Sequence, residues 1–159
     1  MKPYILLVAG GLIVLAFGGL ALWRGGSVLD RSDPENADQV AQGRVVYAQH
    51  CASCHGDSLQ GQPNWRIRKA DGKLPAPPHD DTGHTWHHAD EQLFRITKGG
   101  VRPPLAPEGY ESDMPSFAGV LSDEEIWAVL SFFKSTWSEK SRAYQMRIDQ
   151  AYRKQAEEQ

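Results

Sequence analysis

Cys51-Ala52-Ser53-Cys54-His55 decides how the rest of the chain is read. The stretch is a C-x-x-C-H, the spacing that carries covalent attachment of a c-type haem. Two thiols three positions apart on one helical turn reach the two vinyl groups of one porphyrin. The imidazole beside the second thiol then lies under the iron as proximal ligand. Two other uses of the spacing fail on context. A thioredoxin-like dithiol sits in a βαβ pattern, and no alternating β-branched run flanks these residues. A zinc site takes four ligands at paired spacing, and Cys51 and Cys54 are the only cysteines of the chain.

Composition is consistent with one small domain built round such a group. A chain of 159 residues holds one compact domain plus appendages. Its net charge of -3 gives no basic field for nucleic acid. Ten prolines and fifteen glycines imply a loop-rich fold. A small loop-rich domain needs a staple, and a covalently held haem supplies both apolar core and cross-link.

Working outward, Asp38 to Gln49 reads as a helix leading into the motif, with Gly43, Tyr47 and Cys51 four apart on one face. Gly56 to His88 is irregular, with Gly61-Gln62-Pro63, Asp71-Gly72 and Pro75-Ala76-Pro77-Pro78. Asp90 to Lys98 is a second helix, with Gly99 at its C′ position. After a proline-rich loop comes Asp113-Met114-Pro115. Leu121-Ser122-Asp123-Glu124-Glu125-Ile126 then starts a helix with a capping box (Ser122, Glu125) and a hydrophobic staple (Leu121, Ile126). Ile126, Val129, Leu130, Phe133 and Trp137 give it a buried face. Ser138 to Gln159 is charged and helical, with a thin stripe of Tyr144, Ile148 and Tyr152; the default expectation is a partly frayed helix in solvent.

Three matches in order over about Asp38 to Trp137 resemble the class I c-type cytochromes. They are the Gly43/Tyr47/Cys51 helix, the C-x-x-C-H, and Met114-Pro115 before a capped amphipathic helix. The resemblance implies an all-α fold, a small helical domain around one covalent haem c. It implies that Gly43 lets the first helix cross the last one closely. It implies that a proline carbonyl, from Pro75, Pro77 or Pro78, accepts a hydrogen bond from the proximal imidazole. The haem-holding residues are then Cys51, Cys54, His55 and Met114, with His55 and Met114 on the iron. Of the other two methionines, Met1 is at the chain start and Met146 lies beyond the last core helix. A histidine from the 79–88 segment is the alternative sixth ligand.

Trp65 and Trp86 are candidates for lining the haem or its propionates, against ordinary packing. His79, His84, His87 and His88 lie within ten residues, among Asp80 and Asp81. Copper or zinc binding is one reading. The plainer one has some imidazoles serving the propionates and others capping the next helix, without a second redox metal.

The organisation expected is an anchor at 1–24, a linker at 25–37, the cytochrome domain at 38–137 and the charged tail at 138–159. Tyr4 to Trp23 is uncharged and apolar or small throughout. At ~1.5 Å per residue such a helix spans the ~30 Å hydrocarbon core, with Tyr4 and Trp23 at the interfaces. An uncleaved signal-anchor is favoured over a cleaved signal peptide ending near Gly19-Leu20-Ala21. Gly10, Gly11 and Gly18 on one helix face offer a groove for a second membrane helix, though scattered glycine in a lone anchor explains them as well.

The expected function is one-electron transfer by a bacterial inner-membrane cytochrome whose haem domain faces the periplasm. With both axial positions filled, it is an electron carrier with redox protein partners and not an enzyme by itself. Two alternatives are a haem subunit of a larger membrane oxidase or dehydrogenase, and a metal-handling protein working through His79–His88. Thirteen acids against nine Lys or Arg over 38–137, with Glu108, Glu111 and Asp113 flanking Met114, suggest docking through an acidic rim.

Overall fold

A computed structural model describes residues 31–158, and the expected membrane anchor lies outside them. Among the described residues no helix is long and apolar enough to cross a membrane. The architecture is all-α, with no strand among the described residues. The elements are α1 (Ala37–His50), α2 (Ala52–His55), a 3-10 turn (Thr85–His87), α3 (Asp90–Gly99), α4 (Asp123–Thr136) and α5 (Glu139–Glu157).

Helix α1 starts where the Asn36 side chain accepts the Gln39 N–H at 3.1 Å. It buries Gln39, Gly43, Val46 and Tyr47, a single stripe at helical spacing. Helix α4 starts on the expected box: Ser122 Oγ accepts from Glu125 N at 3.2 Å, and the Glu125 carboxylate accepts from Ser122 N at 2.8 Å. From Ile126 to Lys134 every residue of α4 is buried, the mark of a helix surrounded by protein.

Helices α1 and α4 cross at Gly43. A Cβ built there would lie 1.9 Å from the Ala128 carbonyl oxygen and 3.0 Å from Phe132 Cβ, so only a residue without a side chain fits. Beside the crossing, Tyr47 packs edge-on against Phe133 at 5.7 Å and tilts against Phe132 at 5.5 Å. Phe94 of α3 stacks on Trp127 of α4 at 4.4 Å.

Three expectations change. Helix α3 runs through Gly99, and its cap is Gly100, at φ +80°. The described part of the 25–37 linker is docked: Ser32 is buried, and Asp33 N–H donates to Ser131 Oγ at 2.8 Å and to Gln39 Oε1 at 2.9 Å. Helix α5 is also docked instead of fraying in solvent. Its buried stripe is Ser141, Gln145 and Asp149, polar residues four apart, with Tyr144, Ile148 and Tyr152 half-buried beside it.

A buried polar seam explains that docking. Lys134 Nζ donates to both Asp90 carboxylate oxygens at 3.0 Å and to Ser32 Oγ at 2.9 Å. Asp90 also accepts from Gln145 Nε2 at 2.6 Å and from Ser32 Oγ at 3.0 Å. Asp149 accepts the Asp90 backbone N–H at 3.0 Å and pairs with Arg31 and Arg153. Each buried charge therefore has a partner and further hydrogen bonds, the condition for tolerating it.

Candidate functional site

The site begins where α1 ends. Cys51 follows His50, and α2 is the single turn Ala52–His55, so the cysteines and His55 share one local scaffold. Cys51 is buried and Cys54 exposed, and both thiols are free. Burial, with Cys54 adding to it, pushes the Cys51 thiol up to about 11. A thiol held protonated at neutral pH is a poor dithiol redox centre.

His55 is buried, and its Nδ1 lies 2.8 Å from the Pro77 carbonyl oxygen. A carbonyl only accepts, so Nδ1 carries the proton and Nε2 keeps its lone pair for a metal. This settles the choice among the three prolines in favour of Pro77. Burial lowers the His55 pKa, and the Pro77 carbonyl partly offsets it. The 56–79 segment is folded back by Gly61, which donates to the His55 carbonyl at 2.7 Å and sits at φ +66°. A Cβ there would lie 2.4 Å from Pro78 N. Tyr47 closes the turn from the other side, its hydroxyl donating to the Gly56 carbonyl at 2.5 Å.

Met114 comes from the loop between α3 and α4 and packs, half-buried, against the apolar core that includes Cys51. Its N–H donates to Ser112 Oγ at 3.1 Å. On the far side the loop is tied to α3 by Ala118 N to Lys98 O at 2.9 Å and Ser116 Oγ to Lys98 O at 2.7 Å. Asp113 is not a free acidic rim residue. Its carboxylate lies between Lys69 Nζ at 2.6 Å and Lys73 Nζ at 2.5 Å, and these two lysines hold its pKa down at about 2. The surface beside Met114 is therefore mixed in charge.

Of the four histidines after Pro78, His84 and His88 meet edge-on at 5.5 Å, and the other two have different ring partners. His79 turns inward and stacks on His55. His84 stacks on Trp65 at 5.2 Å, and His87 on Trp86 at 3.9 Å. Burial, then neighbouring imidazoles, lowers the pKa of His79, His84 and His88. No histidine caps α3. Its N-cap is Ala89, whose N–H donates to Gln92 Oε1 at 3.1 Å, while Asp149 takes the next N–H. Among the described residues no three His, Cys, Asp or Glu side chains are grouped to hold a metal ion.

These residues fit haem c. Two unbridged thiols and an imidazole with a fixed tautomer stand on one turn. A thioether faces the same core. Two buried polar atoms, Trp86 Nε1 and His84 Nδ1, have no partner among the described residues. A buried unpaired group of this kind costs about 1–3 kcal/mol, and haem carries carboxylates that an indole N–H or a protonated ring nitrogen can meet.

Sequence reasoning missed two features. The first is the inward His79, whose only signal is its position two after the carbonyl that holds His55. The second is the polar seam, signalled by Ser141, Gln145 and Asp149 at helical spacing and by Lys134 inside an apolar run.

Comparison with known proteins agrees with the geometry. Residues 38–133 match the family described as cytochrome C oxidase, cbb3-type, subunit III. A thiosulfate dehydrogenase of Stutzerimonas stutzeri (strain A1501) is 32% identical over 103 residues, which is 64% of this chain and 29% of that protein. The match thus spans less than a third of that relative. No solved structure matches the chain. With the helix crossing, the His55 tautomer and the free thiol pair on the same 96 residues that the family model covers, this chain belongs to the cbb3-type subunit III family of cytochrome c domains, which bind haem c covalently and carry electrons.

Proposed function

We propose that the chain is a membrane-anchored, class I-like monohaem c-type cytochrome. It passes single electrons between redox protein partners, from a periplasmic domain held at a bacterial inner membrane. Cys51 and Cys54 hold the haem through thioethers, His55 is the proximal ligand and Met114 the distal one. When bound, haem c supplies a one-electron ferric/ferrous couple. The observation that carries this reading is the His55 Nδ1 bond to Pro77, which leaves Nε2 as the ligating nitrogen beside two unbridged thiols.

The chain's own residues set the terms of transfer. Pro77 fixes the His55 tautomer, and the helix crossing and the Met114 loop keep apolar side chains round the site. A thioether opposite an imidazole favours the ferrous state and a comparatively high potential. A single C-x-x-C-H supports one haem, and the uncharged run Tyr4–Trp23 supports the anchor.

The test is a haem count and a redox titration of the full-length protein in its membrane. One covalent haem per chain, one one-electron wave, and resistance to carbonate extraction are expected. A second wave, or release by carbonate, contradicts the monohaem or the anchored part of the reading respectively.

A second reading is favoured by the thiosulfate dehydrogenase likeness: the chain serves as the haem unit of a larger oxidoreductase. Stoichiometric co-purification from detergent extracts, with reduction of the complex but not of the isolated chain by thiosulfate, would support it.

A further inference from the structure

The His55 ring is held by its edge and also by its face. Its edge is bound through Nδ1 to Pro77 O at 2.8 Å. One face is covered by the His79 ring, centroids 4.1 Å apart and planes at 27°. On its other side His79 stacks on Phe133 of α4 at 4.3 Å and 15°. Phe133 in turn meets Tyr47 of α1. Imidazole, imidazole, phenyl and phenol thus form a continuous aromatic file from the site to the α1/α4 crossing.

His79 is itself fixed at several points. Its Nδ1 lies 2.8 Å from Thr85 Oγ1. Its N–H donates to Leu59 O at 2.8 Å, and its carbonyl accepts from Trp137 Nε1 at 2.7 Å. Thr85 and Trp137 are buried, so the ring has a directional hold on its edge and flat partners on two faces.

A single hydrogen bond leaves a ring free to pivot about the donor–acceptor line, whereas a stacked plane removes that freedom. A leucine at position 79 could fill the space but would offer neither a flat face nor an edge bond. We infer that His79 is a positioning residue for the proximal imidazole, with its Thr85-pinned ring setting the rotation of the His55 plane. Thr85 acts one step further out.

This rests on His55 being the proximal ligand, and its test reads ligand orientation instead of activity. The full-length, haem-loaded ferric protein is compared with His79→Leu, His79→Phe and Thr85→Val. The readouts are EPR g values and the spread of the hyperfine-shifted haem methyl resonances, both of which follow the axial imidazole plane. The native protein is expected to give one narrow set. His79→Leu should change the g anisotropy and alter or multiply the methyl set while covalent haem is retained. His79→Phe, which keeps the flat face, should move less, and Thr85→Val should move in the same direction as His79→Leu. Unchanged g values and methyl spread in a folded His79→Leu protein overturn the inference. If that variant does not fold, unchanged spectra in Thr85→Val overturn it. A spectrum unmoved by His55→Gly would overturn the proximal assignment as well. A spectrum moved by His55→Gly but not by the position 79 and 85 variants overturns the positioning role alone.

Discussion

The two sides of the site are held by different physics. On the His55 side, the contacts are the Pro77 carbonyl and the His79 ring, both on half-buried residues, and behind them Phe133, buried on a helix enclosed by protein. On the Met114 side, the ties are two surface lysines on the exposed Asp113 and a neutral hydrogen bond to a serine hydroxyl two residues away. Contacts drawn away from solvent are screened much less, whereas exposed ion pairs are weak and salt-sensitive. The difference implies a rigid proximal ligand and a distal ligand whose loop yields first.

The largest break should come from the helix crossing that backs the proximal side. Gly43→Leu drives a side chain into the Ala128 carbonyl. Driving a leucine into backbone that cannot move aside is expected to cost ~5 kcal/mol or more, lowering Tm by ~15 °C, and to reduce recovery of haem-loaded protein. Thermal unfolding measures this, and a native Tm in Gly43→Leu would mean the helices do not cross there.

Next is the polar seam behind Phe133. Lys134→Met strands the Asp90 carboxylate, whose side chain is only 3% exposed. Removing one partner of a buried pair costs about 3–5 kcal/mol. Replacing both, as Lys134→Met with Asp90→Leu, should restore much of it. Denaturant titration of the single and double variants checks this, and equal losses in both would point to packing instead of charge. Release of α5 should accompany the single variant, seen as faster amide exchange over Glu139–Glu157.

The smallest effect is expected on the distal side. Asp113 is lowered from its ordinary 3.8 to about 2 by Lys69 and Lys73. A depressed carboxylate contributes stability above its ordinary value and loses it as pH falls through the folded value. The Met–iron absorption band should therefore weaken from about pH 4 towards pH 2 while covalent haem stays in place. In Asp113→Asn the loss over that window should shrink, and salt at neutral pH should reproduce a small part of it. A band indifferent to pH, salt and Asp113→Asn would show that the exposed pairs do not hold the loop.

Much of this was legible in the chain because it depended on local patterns. The C-x-x-C-H, the Ser122/Glu125 box, the four-residue spacing of Gly43 and Tyr47, and Met114-Pro115 each state their structure within a few residues. The proline choice was not legible, since Pro75, Pro77 and Pro78 offer the same carbonyl and only the fold at Gly61 selects Pro77. Nor was the docking of α5. A polar stripe of Ser141, Gln145 and Asp149 looks solvent-facing until Lys134 and Asp90 are placed opposite it. The pairing of Asp113 was hidden for a similar reason, because Lys69 and Lys73 are some forty residues from it in the chain.

The most direct test of the haem assignment is the optical redox titration of Met114→Ala beside the native full-length protein. The native protein should show one covalent haem and a Met–iron charge-transfer band. Met114→Ala should keep the haem and lose the band. Its potential should fall by a sizeable part of the ~0.8 V over which axial ligands set haem potentials. A band and potential unchanged in Met114→Ala would contradict the assignment and give the sixth position to another residue.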